Sequence, residues 1–442
     1  MSDPLRWSLF FGPLPTVLLI VGAAAGAFLL IRSHRRWRTR VLPIIAVGVV
    51  LLTLVLAWFV NDVWRPFPDP LPRSVMIWAG VMLAGVALGI AHFFSARWWR
   101  KTVAVVAAIA VLAAGMNEIN RTFGYFPTSA AALGLPLPQQ RELPPRQPFS
   151  TPPSAGRQSP AVERWTAPVG MPAGGAVSTV TIPGVRSGFS TRPAWIYLPP
   201  AYLTAHRPAL PVLMLLPGPP GSSRDWIDGG RVIETMDAFA ASHAGIAPVV
   251  VMPDPLGSPL KNSLCADTTL GKADTYLSTD VPSWVTKHLQ VDPNTSHWAV
   301  GGFSFGGTCS LQLAVNHPCL FPTFLDISGQ SAPTLGSRQR TLDRAFSGNA
   351  GAFAKINPLD ILTRAAHRQG GSASFAQVAG TLAVGTQDGM FAAEQRTIQA
   401  AAIRAGLAIR WLEVPGGHSW HVGSAALERS LPWLATRMGL TR

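Results

Sequence analysis

The sequence contains little charge and little cysteine. Only 13% of its 442 residues are charged, whereas 48% are hydrophobic. Soluble domains carry about twice that share of charge, so part of this chain is expected to lie in a lipid bilayer. The three cysteines, Cys265, Cys309 and Cys319, include no Cys-x-x-Cys pair. Their spacing argues against a zinc site and a thioredoxin-like redox site, and no metal or cofactor is expected.

Acidic residues are also few. There are 22 Asp and Glu against 36 Lys and Arg, which gives a formal net charge of +14. Residues 1–121 hold 12 of the basic and 4 of the acidic residues, a net charge of +8. A basic excess concentrated in one region rich in apolar runs is a signal of membrane topology. No long Lys/Arg run with interleaved aromatic residues occurs elsewhere, so nucleic acid is not expected as a partner.

Four apolar runs occupy this first region, at residues 14–31, 41–60, 75–94 and 102–119. Their lengths approach what a helix needs to cross the hydrocarbon core, so we expect a bundle of about four transmembrane helices in a lipid bilayer. The fourth run has the shortest uninterrupted part and ends at Asn117 and Glu118, which leaves open whether it spans.

Basic residues concentrate in the loops that follow the first and third runs. The first of these loops holds Arg32, Arg35, Arg36, Arg38 and Arg40. Because basic loops tend to stay in the cytoplasm, the chain after the fourth run is expected to lie outside the cell membrane. We find no acidic residue or histidine pair in mid-span, so we interpret the helices as a multi-pass anchor without a transport path.

The remaining chain divides into a spacer and a second domain. Residues 127–175 are rich in Pro, Ala, Gln and Ser, a composition that favours an extended, poorly ordered segment. We therefore place the membrane region at residues 1–126, the spacer at 127–175 and the second domain at 176–442.

Short apolar strands alternate with amphipathic helices in the second domain. Strands are expected at residues 177–182, 194–198, 212–216, 248–252, 297–300, 323–327, 381–384 and 410–414, and helices at 232–243, 277–289, 308–316, 359–366, 392–405 and 424–438. This alternation predicts a largely parallel sheet with helices on both faces. The first two strands are expected to form an antiparallel hairpin at its edge.

The segment Gly302-Phe303-Ser304-Phe305-Gly306 lies between an expected strand and an expected helix. Gly-x-Ser-x-Gly in that context is a nucleophile elbow, which lifts a serine hydroxyl out of the sheet. A Cβ on either outer glycine would collide with the neighbouring strand or helix. The amide of Phe305 lies at a helix N-terminus, where an unpaired donor can receive an oxyanion.

Two further residues complete a serine-hydrolase pattern. Asp388 and His418 each follow an expected strand, and ligand-binding residues of such sheets lie just beyond the strand C-termini. A serine hydroxyl needs a base, which a histidine provides, and a carboxylate orients that histidine. The chain order Ser, Asp, His is that of the α/β-hydrolase fold. Glu394 is the alternative acid, and His421 is the alternative base.

The second oxyanion donor stays open. In the loop after strand 212–216, the residue that follows Gly218 should donate its amide, but that residue is Pro219 and has no N–H. The amides of Gly218 and Gly221 and the hydroxyl of Ser222 are the alternatives. Losing one donor costs on the order of 3 kcal/mol of transition-state stabilisation, which predicts a slow enzyme.

These motifs resemble the esterase family that includes esterase D, ferric-enterobactin esterases and the antigen 85 mycolyltransferases. The resemblance rests on the segments 217–226, 302–307, 326–329 and 416–420 and covers about residues 177–438. The whole chain is similar to membrane-anchored esterases of actinobacteria. The resemblance implies ester hydrolysis or acyl transfer through a Ser-Asp/Glu-His triad, without a metal.

Three functions follow as hypotheses. The first is a serine esterase outside the membrane that hydrolyses an acyl or aminoacyl ester of a lipid or cell-envelope glycoconjugate. The second is an acyltransferase with the same triad, and the third is a catalytically silent binding module.

The cysteines supply a separate expectation. An oxidising compartment would favour a disulfide between Cys265, in the loop after strand 248–252, and Cys309, on the helix after Ser304. Three unpaired cysteines are the alternative. With the disulfide formed, Cys319 is expected to remain as a free, buried thiol.

Overall fold

The computed structural model describes residues 3–64, 70–95, 98–147, 165–367 and 375–441. The chain forms two compact units, Met1–Leu135 and Pro136–Arg442. The boundary falls inside the predicted spacer, so that spacer contributes residues to both units. Its middle, residues 148–164, lies outside the described residues.

The first unit is a bundle of four long helices. They are α1 (Pro13–Leu30), α2 (Leu42–Trp58), α3 (Arg73–Ser95) and α4 (Trp98–Phe123). All four are long and apolar enough to cross a membrane, by length and composition. Each coincides with one of the four apolar runs. Helix α4 continues through Asn117 and Glu118, where the apolar run ends, and so has 26 residues.

The interior of the bundle combines large apolar side chains with small ones. Leu29, Trp37 and Leu88 are buried against Ala104 and Ala107. Small residues let helix backbones approach closely, which is how helices associate where hydrophobic burial gives no preference over lipid. After the bundle, a single helical turn, α5 (Ser129–Ala132), is capped by the Thr128 hydroxyl.

The second unit contains an eight-stranded sheet. Its strands are β1 (Ala176–Val180), β2 (Ala194–Leu198), β3 (Val212–Leu216), β4 (Val249–Met252), β7 (Ala299–Phe303), β8 (Thr323–Ile327), β9 (Ala379–Gly385) and β10 (Ala408–Val414), and a separate two-stranded hairpin is formed by β5 (Asp267–Thr268) and β6 (Gly271–Lys272). The order in the large sheet is β1-β2-β4-β3-β7-β8-β9-β10. Strand β2 pairs antiparallel with β1 and β4, and the other pairs are parallel. The expected α/β-hydrolase fold, with its antiparallel edge, is confirmed.

Helices lie between the strands, and six of those with four or more residues coincide with the six predicted from the sequence. They are α6 (Asp225–Asp228), α7 (Val232–Ser242), α8 (Val281–His288), α9 (Phe305–Asn316), α10 (Arg338–Phe346), α11 (Ala350–Ile356), α12 (Pro358–His367), α13 (Gly389–Arg404) and α14 (Trp420–Arg437). Every residue of β2, β3 and β4 is buried, because helices cover both faces of a parallel sheet.

Strand β7 is longer than the sequence indicates. It continues through Gly301 and Gly302 to Phe303, whereas the glycines suggest a turn already after Val300. A Cβ on Gly301 would lie 3.1 Å from a Leu215 methyl and 3.2 Å from the Leu325 Cβ. Glycine here serves close packing between neighbouring strands, which sequence alone cannot distinguish from a turn signal.

The short turns α5 and α6, the helices α10 and α11 and the hairpin β5–β6 are not among the predicted elements. Helix α10 reads Arg-Gln-Arg-Thr-Leu-Asp-Arg-Ala-Phe, with only three apolar residues. It packs Leu342 and Phe346 against Leu264 and Ala266, in the loop between β4 and β5, so a second small core forms over that loop. A pattern with so few apolar residues gives little helical periodicity to detect.

The two edges of the large sheet differ. At one edge the Arg141 amide donates to the Val177 carbonyl, so part of the predicted spacer pairs with β1. At the other edge, β10 carries exposed Arg410 and Glu413. The Arg410 guanidinium stacks over Trp433, and Glu413 forms an ion pair with Arg396.

A disulfide joins Cys265 to Cys309, with the two Cα atoms 5.6 Å apart. It connects the loop after β4 to helix α9. The Gln312 amide strengthens this connection, since its Nε2 donates to the carbonyls of Leu264 (3.1 Å) and Cys265 (2.9 Å). Leu264 and Cys265 have positive φ values of 59° and 47°, a conformation that is unfavourable for residues other than glycine.

The expectation of a buried Cys319 is wrong, because this thiol is exposed. Cys319 follows Pro318 in the turn after α9, where the helix has already ended. Its carbonyl accepts a hydrogen bond from the Thr295 hydroxyl at 2.9 Å, which holds the backbone while the side chain faces solvent.

Thiol counting tests the cysteine assignment. We expect one reactive thiol per chain both before and after denaturation without reductant, because Cys319 is exposed and the other two cysteines are paired. A Cys319→Ser variant should then show none. Three thiols in the denatured, unreduced protein would overturn the disulfide, and one that reacts only after denaturation would contradict the exposed position of Cys319.

Candidate active site

Ser304 lies at the junction of β7 and α9. Its backbone has φ 59° and ψ −121°, a strained conformation for a residue with a side chain, and its amide donates to the Ile327 carbonyl at 2.8 Å. The turn is tight on both sides. A Cβ on Gly302 would collide with the Gly306 carbonyl, and a Cβ on Gly306 would collide with the Leu216 carbonyl. The strained turn therefore requires both glycines.

Ser304, His418 and Asp388 form one chain of hydrogen bonds. The His418 Nε2 lies 2.9 Å from the Ser304 Oγ, and its Nδ1 lies 2.9 Å from the Asp388 Oδ2. The carboxylate accepts only, so it fixes the tautomer with the proton on Nδ1. Nε2 is then free to accept the serine proton. The three side chains come from the C-terminal ends of β7, β9 and β10, where the sheet brings them together.

The acid and the base differ in their exposure to solvent. The Asp388 side chain is 3% exposed, and that of His418 is 22% exposed. The His418 ring lies between two aromatic rings, with centroids 4.8 Å from Phe303 and 4.1 Å from Phe391. These rings limit rotation of the imidazole and shield its bond to Asp388 from water. Sequence reasoning did not single them out, although Phe303 is part of the elbow motif itself.

A second aromatic layer supports the first. Trp420 packs against Phe303, with 5.1 Å between centroids, and against Trp226 at the same distance in a perpendicular arrangement. Trp226 and Trp420 both belong to the segments that carry the family resemblance. Their contact joins the loop after β3 to the loop that bears His418.

The two alternative residues lie elsewhere. The Glu394 Oε2 accepts a hydrogen bond from the Ser331 amide at 2.9 Å, so this carboxylate orders the loop after β8. His421 lies in the first turn of α14. The imidazole next to Ser304 is that of His418.

The structure narrows the choice of the second oxyanion donor. The Gly221 amide donates to the Pro259 carbonyl at 3.0 Å. The Ser222 amide and hydroxyl both donate to Asp225, at 2.9 and 3.1 Å. Gly218 remains, and it lies beside the first amide of α9, since a Cβ built on it would be 3.5 Å from the Phe305 nitrogen. Pro219 follows with no amide hydrogen to offer.

A buried carboxyl group lies behind the elbow. Asp326, at the end of β8, is fully buried and stands opposite Gly302 in the sheet. Burial raises the pKa of this carboxyl to about 7, although a hydrogen bond from the Gly329 amide and the nearby Gln395 amide oppose the rise. Among the described residues we find no group of three or more His, Cys, Asp or Glu that could hold a metal ion.

The site geometry agrees with the comparison with known families. The family model described as "Putative esterase" matches residues 189–434, which is more than half of the chain. The chain belongs to this esterase family. It is a serine ester hydrolase of the α/β-hydrolase fold, as the motifs around Ser304 and His418 predict.

Individual proteins are also similar to this chain. An uncharacterized protein of Corynebacterium glutamicum is 32% identical to this esterase over 432 residues, 96% of each chain. A solved ferulic acid esterase has a TM-score of 0.53 at 20% identity and covers 60% of this chain and 99% of its own, a likeness of fold. The MPT51 structure of Mycobacterium tuberculosis, at 18% identity and a TM-score of 0.43, covers 60% of this chain and 98% of its own.

Proposed function

We propose that this esterase is anchored in the cell membrane and works outside it on acyl or aminoacyl esters of lipids or cell-envelope glycoconjugates. Its catalytic residues are Ser304, His418 and Asp388. The observation that carries the proposal is the hydrogen-bond chain from Asp388 through His418 to Ser304, held on a strained elbow.

Acylation begins when the Ser304 Oγ attacks the ester carbonyl carbon. The His418 Nε2 takes the hydroxyl proton as the bond forms, and Asp388 stabilises the resulting imidazolium. The imidazolium then returns its proton to the alcohol oxygen that leaves. The products of this half-reaction are the free alcohol and an acyl group esterified to Ser304.

The negative charge on the tetrahedral oxygen needs donors fixed in advance. We assign the Phe305 amide, at the start of α9, and the Gly218 amide beside it. Deacylation repeats the same steps with water or another alcohol as the nucleophile. If the Gly218 amide is poorly aimed, each turnover lacks one donor and is slowed accordingly.

Three observations support a position outside the membrane. Four helices can cross a bilayer, and the arginine-rich loop between α1 and α2 favours the cytoplasm. Three spans, α2, α3 and α4, separate that loop from the second unit, and an odd number of spans leads to the opposite side of the membrane. The Cys265–Cys309 disulfide is typical of proteins in an oxidising compartment.

Two exposed apolar residues suit an acyl chain. Leu260 is 67% exposed, next to Pro259, whose carbonyl binds the Gly221 amide of the oxyanion loop. Met390 is 47% exposed, two residues after Asp388. Leu260 lies in the loop after β4 and Met390 in the first turn of α13. Both elements follow strand C-termini, at the edge of the sheet where Ser304 projects, so the two side chains can contact the acyl part of a substrate.

Substitution of the triad tests the catalytic assignment. We expect Ser304→Ala and His418→Ala each to reduce hydrolysis of p-nitrophenyl acetate to about 1% or less, with the double variant little worse, because the two groups act as a unit. A fluorophosphonate probe should label the wild type and fail on Ser304→Ala. Normal labelling of that variant would refute the nucleophile.

Asp388→Asn should lose most activity as well, since the imidazole loses its orienting carboxylate. Glu394→Gln is the matched control, because it removes a neighbouring carboxylate that bonds to Ser331 instead. A larger loss in Glu394→Gln than in Asp388→Asn would transfer the acid role to Glu394.

Reporter fusions test the membrane topology. Alkaline phosphatase, which is active only outside the cytoplasm, should be active when fused after Pro127 and silent when fused after Arg36. A fluorescent protein that matures only in the cytoplasm should give the reverse pattern. Silent phosphatase after Pro127 would place the second unit in the cytoplasm.

The acyltransferase alternative differs from the esterase only in deacylation, where an alcohol replaces water as the nucleophile. With p-nitrophenyl octanoate as donor and a disaccharide present, we expect the full chain to release octanoic acid and little sugar ester. If the sugar ester is the main product, the protein is a transferase instead. Activity at the level of Ser304→Ala in both assays, with an unlabelled Ser304, would favour the silent binding module.

A further inference from the structure

The oxyanion loop, residues 217–222, contains few amide donors. Pro219 and Pro220 have no N–H, so in the turn 218–221 only Gly218 and Gly221 can donate a backbone hydrogen bond. The turn is tight, because a Cβ on Gly221 would collide with the Gly218 carbonyl. Among the described residues, no atom accepts a hydrogen bond from the Gly218 amide, which leaves this amide available to an oxyanion.

The Gly221 amide connects this turn to another part of the domain. It donates to the Pro259 carbonyl at 3.0 Å. The amide and the hydroxyl of Ser222 bond instead to Asp225, on the short helix α6 that follows the oxyanion loop. The position of the Gly218 amide therefore depends on where the Pro259 carbonyl lies.

Pro259 belongs to the β4 loop, which we define as residues 253–266, between β4 and β5. Pro259 and the next two residues, Leu260 and Lys261, are all exposed. Because exposed residues have few neighbours to pack against, the position of the Pro259 carbonyl depends on how the two ends of the β4 loop are held.

Asp254 holds the first end of the β4 loop. Its carboxylate is fully buried and accepts two hydrogen bonds from the Arg192 guanidinium, at 2.8 and 3.0 Å. It also accepts the amides of Leu256 and Gly257, at 3.2 and 3.0 Å. Hydrogen bonds between charged groups are strong, so the chain from β4 to Gly257 is well fixed.

The disulfide holds the second end. Cys265 and Cys309 are each 1% exposed, and the Gln312 Nε2 donates to the carbonyls of Leu264 and Cys265 next to them. The positive φ values of Leu264 and Cys265 are unfavourable and persist only where the surroundings impose them. Both connections lead to α9, the helix whose first amide is the other proposed oxyanion donor.

We propose that the Cys265–Cys309 disulfide is a positioning link of the oxyanion hole, which acts through the β4 loop on the Gly218 amide. The disulfide holds the loop, and the Pro259 carbonyl in that loop fixes Gly221. The inference rests on the proposed function, because it takes Gly218 as the second oxyanion donor. Both donors are then fixed relative to α9 before substrate binds, which is what stabilisation of an oxyanion requires.

Two variants of the full chain in detergent test the link at different atoms. The double variant Cys265→Ala/Cys309→Ala removes the disulfide. Gln312→Leu keeps the disulfide but removes the donor to the carbonyls of Leu264 and Cys265. Gln312→Leu decides the question if the double variant fails to fold.

Asp292→Asn is the matched control for lost stability. Asp292 forms a buried pair with His297, 2.7 Å apart, before the first residue of β7 and so at the opposite end of the sheet from Ser304. Breaking a buried pair lowers stability, so the melting temperature should fall in this variant as well. All forms are compared at a temperature below every melting transition.

The first readout is turnover of p-nitrophenyl acetate per active site, with sites counted by titration with a fluorophosphonate. We expect the double variant to lose about tenfold to a hundredfold in kcat with KM changed less than about twofold, because an oxyanion donor acts in the transition state. Gln312→Leu should lose about fivefold, since the disulfide remains. Asp292→Asn should keep the wild-type kcat per site.

A trifluoromethyl ketone inhibitor gives a second kinetic readout. It forms a tetrahedral adduct with a serine hydroxyl, and the adduct oxygen carries the charge that the oxyanion donors stabilise. Its affinity should weaken in the double variant by about the same factor as kcat/KM, as expected of a transition-state analogue.

Hydrogen exchange of the oxyanion loop needs no substrate. A peptide that covers residues 217–226 has no amide at its three prolines, so its exchange reports Gly221 and few other amides. The Gly221 amide should exchange faster in the double variant and in Gln312→Leu than in the wild type, because its acceptor is no longer held. Asp292→Asn should leave this exchange unchanged.

Several results would overturn the proposal. They are a wild-type kcat per site in the double variant, or in Gln312→Leu if only that variant folds; unchanged exchange at Gly221; and an equal loss of kcat in Asp292→Asn. Faster exchange with an unchanged kcat would show that Gly218 is not the donor. If Ser304→Ala disproves the proposed function, the exchange measurement still decides whether the disulfide holds the loop.

Discussion

The close approach of three backbone segments at the elbow governs the rest of the structure. Gly306 packs against the Leu216 carbonyl of β3, and Gly302 packs against Gly306, so neither position admits a side chain. This contact forces the strained φ of Ser304 and sets where α9 begins. Because β9 and β10 extend the same parallel sheet, their C-terminal ends present Asp388 and His418 to that serine. The proposed oxyanion donors and the disulfide are fixed relative to the same helix.

The sequence allowed the sheet and the grouping of Ser304, Asp388 and His418 to be predicted because both depend on local patterns. Each of the eight strands is a short apolar run between turn residues, and each was located to within a few residues. Ser304, Asp388 and His418 each stand directly after such a run, and parallel strands bring their C-termini together whatever the connecting segments do. The four apolar runs at residues 14–119 likewise predicted the four long helices of the first unit.

Features that depend on packing between distant segments could not be predicted from local sequence patterns. Helix α10, which carries Phe346, covers the loop at Leu264, and no local sequence pattern indicates this contact. The exposure of Cys319 depends on α9 ending before Pro318. The aromatic rings of Phe303 and Phe391 enclose His418 only once three strands are aligned. The choice among oxyanion donors needed the hydrogen bonds that already occupy Gly221 and Ser222.

The edges of the sheet have a consequence for a protein that we propose to be anchored in a membrane. An open β-edge offers unpaired amides to any neighbouring strand, and proteins held in one membrane plane meet each other often. Here β1 is covered by the segment around Arg141, and β10 presents Arg410 and Glu413 to solvent. Charges on an edge strand oppose pairing with a second copy. With the proposed anchor, crowding in the membrane plane should therefore not drive this esterase into strand-to-strand aggregates.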